Sequence, residues 1–192
     1  MQFVQNEFND TLEIKKSKFI THIFPYSDFK TVMERLKAEH PKARHFVYAY
    51  RYINEFDQIV ENSSDDGEPK GTSGKPTLSV LAGVDIINTA VIVVRYFGGI
   101  RLGTGGLVKA YSDAVNLVLK STDLKKYVKL EYKSLDIEYS LLSQVEYFIK
   151  NCDITVKEKI FDTKIRLILE ASNEEFSKLS DSLSRDCILK NL

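Results

Sequence analysis

The segment VIVVRYFGGIRLGTGGLVKAYSDAV, residues Val91–Val115, decides the predicted fold of the first part of the chain. It opens with an apolar, β-branched run, which is typical of a strand buried on both faces in the middle of a sheet. Apolar residues spaced by three and four then predict a helix that Thr104 caps and that ends near Ser121. Five of the chain's nine glycines separate the two elements. We therefore predict a central strand, a glycine-rich turn and a helix in direct succession.

The glycine-rich turn is the first candidate binding site. A helix N-terminus presents unpaired backbone N–H groups and the positive end of the helix dipole, which together attract anions. Glycines allow positive φ angles and let a phosphate or another backbone approach closely. We expect this turn to bind an anion, either a phosphate of RNA or of a nucleotide or a carboxylate of a partner. The candidate residues for anion or nucleic-acid binding are Arg95, Gly98, Gly99, Arg101, Gly103, Thr104, Gly105, Gly106 and Lys109.

A structural interpretation of the same turn stays open. The glycines can serve packing alone, while the arginines pair with an acidic loop. The spacing matches neither the P-loop, which ends in Gly-Lys-Ser/Thr, nor the GxGxxG pattern of dinucleotide-binding proteins. The turn therefore indicates no particular cofactor, and we expect none.

The second polar cluster is the segment SSDDGEPKGTSGKP, residues Ser63–Pro76. The turn-forming composition of Glu61–Pro76 predicts a surface loop, with Pro76 in the first turn of a short helix through Leu81 and Ser73 or Gly74 near its cap. The three carboxylates of the polar cluster can hold Mg²⁺ through waters, can form a solvated acidic turn, or can fold over the arginines of the glycine-rich turn as one side of a groove. The candidate residues of this facing loop are Asp65, Asp66, Glu68, Lys70 and Thr72, with Asp65, Asp66 and Glu68 as the metal candidates.

The histidines and serines do not form a recognisable catalytic pattern. His22, His40 and His45 lack the spacing of zinc ligands, and no serine lies in a nucleophile motif. Arg44 and His45 stand at the start of a predicted strand and are candidates for a supporting role at the binding site. The residues favour a binding function over catalysis.

One predicted strand carries a row of aromatic side chains. Tyr48, Tyr50 and Tyr52 alternate along ARHFVYAYRYI and share their parity with Phe46, so they lie on one face of the sheet. Such a row can form a platform on which nucleic-acid bases stack, or it can be part of the core.

Composition limits the kind of nucleic-acid binding that this chain can perform. Its 192 residues are 43% hydrophobic and 28% charged, with a formal net charge of zero, which argues against coating nucleic acid over the whole surface. Residues 1–129 carry a net charge of +3, so a local basic patch is allowed. The chain shows no signal peptide and no apolar tract of about 18 residues, so we expect a cytoplasmic protein without membrane contact.

The pattern of elements predicts an α+β fold. Before the glycine-rich turn, we expect one or two strands around residues 12–26, a helix that begins after Asp28 and ends before Pro41, and a strand at residues 43–53. After residue 129 a second pattern, β-α-β-β-α-β, suggests a ferredoxin-like domain. Its predicted elements are strand Leu130–Tyr139, helix Leu141–Lys150, strands Ile154–Ile160 and Lys164–Glu170, helix Glu174–Ser184 and strand Cys187–Leu189.

Four motifs resemble, in order and spacing, the IMPACT/YigZ family. They are SKFI (Ser17–Ile20), HPKARHFVYAYR (His40–Arg51), SDDGEPKGTSGKP (Ser64–Pro76) and VRYFGGIRLGTGGLVKAY (Val94–Tyr111). The similarity covers about residues 15–120 closely and the remainder of the chain more loosely.

The resemblance implies two domains. Residues 1–127 would form an IMPACT domain with the fold of the second domain of a small-subunit ribosomal protein, a βαβ sandwich of sheet and helices. Residues 128–192 would form a ferredoxin-like domain similar to the last domain of elongation factor G.

The resemblance also implies a role in translation. The eukaryotic namesake of the family regulates translation initiation by competing for an activator of the kinase that phosphorylates initiation factor two. We therefore expect a translation-associated regulatory protein that binds RNA, the ribosome or a translation-regulating protein, although this expectation rests on analogy and not on a site. The alternatives are a Mg²⁺-dependent enzyme that handles nucleotides or phosphoryl groups, and a pure protein-interaction module.

Overall fold

The computed structural model describes residues 1–184 and 187–192. The chain divides into two compact units, Met1–Tyr127 and Val128–Leu192, each with its own sheet and hydrophobic core. Both units combine helices with antiparallel sheets, so the predicted α+β class is confirmed. No helix among the described residues has the length and apolar character needed to span a membrane.

The first unit contains a five-stranded sheet with helices on both faces. Its elements in chain order are β1 (Gln2–Val4), β2 (Phe8–Ile14), β3 (Ser17–Pro25), α1 (Phe29–Glu39), β4 (His45–Ile53), β5 (Ile59–Ser64), α2 (Gly74–Gly83), β6 (Thr89–Tyr96), α3 (Gly103–Ser121) and β7 (Leu124–Lys126). The strand order of the sheet is β2-β3-β6-β4-β5, and a separate pair joins β1 to β7.

Strand β6 lies at the centre of this sheet, as its apolar sequence predicts. It pairs with β3 on one side and β4 on the other, both antiparallel, and residues 89–95 are buried. Its side chains alternate between two cores. Val91 and Val93 pack with the residues of α2 and α3, while Ile92 and Val94 pack with those of α1. Arg95 continues the odd-numbered series, so it lies on the face that α3 covers.

The predicted helices form. Asp28 and Ser73 are the N-cap residues of α1 and α2, as predicted, whereas Thr104 is not the cap of α3. Asp28 is the last residue of a short 3₁₀ turn and the N-cap residue of α1, but its side chain makes no capping hydrogen bond. Helix α3 begins at Gly103, one residue before Thr104, and Leu102 is its N-cap residue without a capping side chain. Ser73 precedes α2, but its hydroxyl does not cap the helix. These short polar residues take other partners or face solvent.

The acidic segment is less exposed than its composition predicts. Residues 61–64 belong to β5, which forms the edge of the sheet, and only the remainder is a loop. Thr72, Ser73 and Gly74 are buried. The prediction of a surface loop is therefore wrong for both ends of the segment, because the polar groups there find hydrogen-bond partners inside the protein.

The second unit has the predicted β-α-β-β-α-β order, with boundaries shifted by a few residues. Its elements are β8 (Glu131–Ile137), α4 (Leu142–Lys150), β9 (Thr155–Phe161), β10 (Ile165–Ala171), α5 (Asn173–Ser182) and β11 (Leu189–Asn191). The strand order is β11-β8-β10-β9, and α4 and α5 pack on one face of the sheet. The last strand starts at Leu189, whereas the sequence pattern ends it there.

Candidate anion-binding site

The glycines between β6 and α3 have two different roles. Gly98 packs against the turn between β2 and β3, where an added Cβ would come within 2.0 Å of the Lys16 backbone carbon. The N–H of Gly98 donates to Ser17 Oγ at 3.1 Å. Gly99 and Gly103 have φ angles of +85° and +73°, and a Cβ on either would meet open space. Packing therefore accounts for Gly98, whereas backbone conformation accounts for Gly99 and Gly103.

The N-terminus of α3 is open. No side chain caps it, and a Cβ added at Gly105 would have no atom within 4 Å. The first N–H groups of a helix have no partner within the helix, and the dipole of this 19-residue helix places positive potential there. Arg101, which precedes the helix, is exposed and has no hydrogen bond or ion pair within the described residues. This end of α3 can therefore receive an anion.

Lys109 lies further along the same helix. Its side chain is exposed and pairs with Asp113 one turn later, with Nζ 3.0 Å from Oδ2. The structure thus places Lys109 outside the immediate turn, where it adds positive charge to the surface of α3.

Arg95, a predicted anion-binding residue, is buried inside the protein. The residue is 5% exposed, and its Nη1 donates a short hydrogen bond to Glu68 Oε1. Its guanidinium carbon lies 5.3 Å from the ring centroid of Phe19 and 5.7 Å from that of Phe97. The Nε of Arg95 is buried and has no hydrogen-bond partner within residues 1–184 and 187–192. Arg95 therefore belongs to the inner wall of the site.

Glu68 joins Arg95 to helix α3. The hydroxyl of Tyr111 donates to the same Glu68 oxygen at 2.9 Å. Burial raises the pKa of Tyr111, and the nearby Glu68 carboxylate raises this pKa further, so the hydroxyl stays protonated. Glu68, Arg95 and Tyr111 thus form a buried polar cluster that links the acidic loop, strand β6 and helix α3.

Asp65 organises the start of helix α2. Its Oδ1 accepts hydrogen bonds from Ser73 N, Ser73 Oγ and Gly74 N at 2.7–3.1 Å, and its Oδ2 accepts one from Gly71 N at 2.7 Å. Burial alone would raise the pKa of Asp65, but these donors outweigh it and lower the pKa below its usual value. Ser73 is the N-cap residue of α2, as predicted, and Asp65 supplies the side chain that binds the first amides of this helix.

Asp66 anchors the loop to the start of β4. Its Oδ2 accepts from Phe46 N at 2.6 Å, and its backbone carbonyl lies 2.8 Å from His45 Nδ1. Asp65, Asp66 and Glu68 are each engaged by a different part of the fold, and the described residues contain no group of three or more His, Cys, Asp or Glu side chains that could hold a metal. The geometry gives no support to the magnesium interpretation of this loop.

The remaining candidates of the facing loop lie apart from the open turn. The Thr72 hydroxyl is buried and donates to the Pro69 carbonyl at 2.7 Å, which stabilises the loop. Lys70 and Arg44 are exposed. His45 holds the loop through Asp66 and so has a supporting role in structure.

A pocket of about 370 Å³ brings the two segments together. Residues of the loop form one wall, and the end of β6 with the start of α3 forms the other. The lining residues are Glu68, Pro69, Arg95, Phe97, Arg101, Leu102, Gly103, Thr104 and Leu107. The apolar members were not among the predicted site residues. For two of them the sequence carried a signal that could have predicted their place. Phe97 has the same parity along the chain as Arg95, and Leu107 follows the helical spacing of α3.

A larger cavity of about 640 Å³ lies elsewhere in the first unit. Tyr26 and Tyr52 contribute to its wall, with their rings stacked at 4.1 Å, and its one charged lining residue is Asp28. Tyr48 and Tyr50 pack at the margin of the α1 core, which agrees with the core interpretation of the aromatic row. Because no cationic side chain is among the described residues that line this cavity, the smaller pocket is the better candidate for an anion site.

Comparison with known proteins gives the family. The fold and site define a two-unit α+β protein with an open helix N-terminus beside a buried Glu–Arg–Tyr cluster. Residues 15–119 match the model of the Impact N-terminal domain, and the chain belongs to the IMPACT family. It is 40% identical over 176 residues to the IMPACT family member YigZ of Escherichia coli (strain K12), across 88% of this chain and 86% of that protein.

Two further relatives extend this comparison. The chain is 38% identical over 175 residues to an IMPACT family member of Haemophilus influenzae, across 90% of this chain and 85% of that protein. A crystal structure described as a hypothetical protein has a TM-score of 0.71 and 34% identity, and covers 100% of this chain and 96% of its own. The similarity to relatives therefore includes both units.

Proposed function

We propose that the protein is a translation-associated binding protein that recognises phosphate groups of RNA, free or within the ribosome, at the open N-terminus of α3. The observation that carries the proposal is the combination of helix amides without a capping side chain and the exposed side chain of Arg101, which has no partner in the part of the chain that the structure describes. Backbone N–H groups and arginine are the groups that most often position nucleic-acid phosphates. Membership of the IMPACT family supports a role in translation and a location in the cytoplasm.

The charges around the N-terminus of α3 favour contact with a few phosphates over contact with a long stretch of RNA. The chain has no net charge, and Lys109 on the same helix is already paired with Asp113. A protein that neutralises few phosphates binds with a shallow salt dependence, since each contact adds about 0.7–0.9 to the slope of log K against log salt. We therefore expect a modest affinity that rests on a small number of phosphates.

The test is binding to ribosomal RNA, transfer RNA and ribosomes at several salt concentrations, by fluorescence anisotropy and co-sedimentation. Arg101→Glu should weaken binding about tenfold or more for all sequences alike and reduce the salt slope by about 1. Lys30→Glu is the matched control, because it makes the same change of charge on an exposed residue of α1, on the other face of the sheet. The control should bind as the unaltered protein does.

Two results would contradict the proposal. One is the lack of measurable binding to any of these RNAs at low salt. The other is equal binding by Arg101→Glu and Lys30→Glu variants. If affinity capture from cells returned one stoichiometric protein that nuclease does not release, the protein-interaction alternative would replace RNA binding.

A further inference from the structure

The pocket beside the open helix end has an apolar half that a phosphate alone does not need. Phe97 is 51% exposed although it is aromatic, and it lines the pocket together with Pro69, Leu102 and Leu107. Exposed aromatic rings next to a cationic groove are the usual partners of unstacked nucleic-acid bases. The lining therefore fits a ligand with an anionic end and a flat, weakly polar body.

Arg95 and its counter-ion Glu68 form a polar inner wall of the same pocket. The Arg95 guanidinium lies near the Phe97 ring, and its Nε is buried without a partner among the described residues while Glu68 engages Nη1. A buried N–H group without an acceptor is uncommon in folded proteins. Because this Nε is closed off from the surface, it belongs to the wall of the pocket, where Arg95 and Glu68 form a polar part of the lining.

The size of the pocket limits the ligand. Its volume of about 370 Å³ is near the lower end of the roughly 300–1,000 Å³ that small-molecule sites occupy. One nucleotide unit fits such a space, whereas the paired bases of a duplex stay stacked inside the helix and cannot enter it. The pocket thus favours a nucleotide whose base is unpaired.

We propose that this pocket binds a single nucleotide unit with an unpaired base. The phosphate lies at the N-terminus of α3 beside Arg101, and the base lies against Phe97 and the neighbouring apolar side chains. This inference rests on the proposed function, since it assigns the phosphate to the same open helix end. The nucleotide can be part of a single-stranded RNA or a free nucleotide, because the two present the same phosphate and base.

The experiment compares a short single-stranded RNA, the duplex of the same sequence, and adenosine monophosphate, with titration followed by anisotropy and by NMR of the protein. Phe97→Leu keeps the apolar volume but removes the ring, so it should lower the affinity for single-stranded RNA about 5- to 100-fold. Phe97→Tyr, which keeps the ring, should bind nearly as well as the unaltered protein. Phe56→Leu is the matched control, because Phe56 is an exposed phenylalanine outside the pocket and should not affect binding.

The outcomes separate this inference from the proposed function. Equal affinity for duplex and single strand, or normal binding by Phe97→Leu, would overturn the single-nucleotide site, while the Arg101 dependence would still support phosphate binding. Binding of adenosine monophosphate that depends on Phe97 without any RNA binding would support the pocket and overturn the RNA function. Absence of binding to all three probes would overturn both.

Discussion

The acidic loop and the glycine-rich turn are the two segments richest in chemistry, and the fold uses them in opposite ways. Asp65, Asp66 and Glu68 of the loop all accept hydrogen bonds from the protein itself. The turn leaves the first amides of α3 uncapped and Arg101 unpaired within the described residues. Polar groups that the fold already satisfies contribute stability, whereas groups left open are available to a ligand. Substitutions should separate these two roles.

The largest loss of stability should follow the removal of charge from Glu68. Glu68→Gln leaves the buried Arg95 guanidinium without its counter-ion, which should lower the free energy of unfolding by about 3–5 kcal/mol. Urea denaturation, followed by circular dichroism, measures this change in the free energy of unfolding. Glu61→Gln is the matched control, since Glu61 also pairs with a buried arginine, Arg51, but its own carboxylate is exposed. A loss no greater than that of the control would show that the cluster is not a structural element.

The second largest loss of stability should follow from a backbone clash at Gly98. Gly98→Ala places a methyl group within 2.0 Å of the Lys16 backbone, and overpacking of this kind costs about 1–3 kcal/mol or more. Gly105→Ala is the comparison within the same turn, because its Cβ meets open space and alanine favours helix by about 0.5–1 kcal/mol. Thermal denaturation of the two variants should therefore move in opposite directions. Equal shifts would contradict the division of the glycines into packing and open positions.

Removal of the Asp65 carboxylate should cost about 2 kcal/mol at neutral pH, because Asp65→Asn loses charge-assisted hydrogen bonds at the start of α2. The pKa of Asp65 is lower in the folded than in the unfolded chain. Its stabilisation is therefore complete above the unfolded pKa, about 3.9, and is lost as the pH falls through the lower folded pKa.

The difference between the unaltered protein and Asp65→Asn should accordingly shrink when urea denaturation is repeated below about pH 4. Asp28→Asn is the control, since this exposed aspartate makes no capping bond. A pH-independent difference for Asp65→Asn would mean that its role does not depend on the carboxylate charge.

The smallest effect on stability should come from Arg101. Arg101→Gln should change the free energy of unfolding by less than about 0.5 kcal/mol, because an exposed and unpaired side chain contributes little to folding. The same variant should lose affinity for phosphate-containing ligands. A marked destabilisation, measured by urea denaturation, would show that Arg101 has a structural partner and would remove the contrast with the loop.

The sequence predicted the elements better than their ends. The central strand and the helix after it follow from an apolar run and from helical spacing, which depend on many residues at once. Helix caps depend on one side chain and its local geometry. The capping side chain of α2 is that of Asp65, six to nine positions before the amides that it binds. Such a contact has no period in the sequence, so the role of Asp65 was missed although Ser73 is the N-cap residue as predicted, and Thr104 was mistaken for the cap of α3.

The sequence predicted the exposed residues of the candidate site but not the burial of Arg95 or the carboxylate that pairs with it. The open helix end and Arg101 were foreseen, because a glycine-rich turn after a buried strand signals exposed amides. Arg95 was a candidate for anion binding, although its parity with Val91 and Val93 indicated the buried face below α3. Pairing of the arginines with the acidic loop was one of the interpretations left open, and Arg95 makes this pairing with Glu68. Which carboxylate pairs with Arg95 could not be deduced, since the loop that carries Glu68 follows no regular pattern.

The residues that enclose the pocket come from segments far apart in the chain, since Glu68 and Arg95 are separated by 27 positions. A synthetic peptide that copies Val94–Tyr111 would therefore lack one side of the receptor, however faithfully it reproduced the glycine-rich motif. Recognition at this site can arise only after the sheet of the first unit has assembled. Ligand binding would consequently serve as a sensitive reporter of correct folding in variants of this protein.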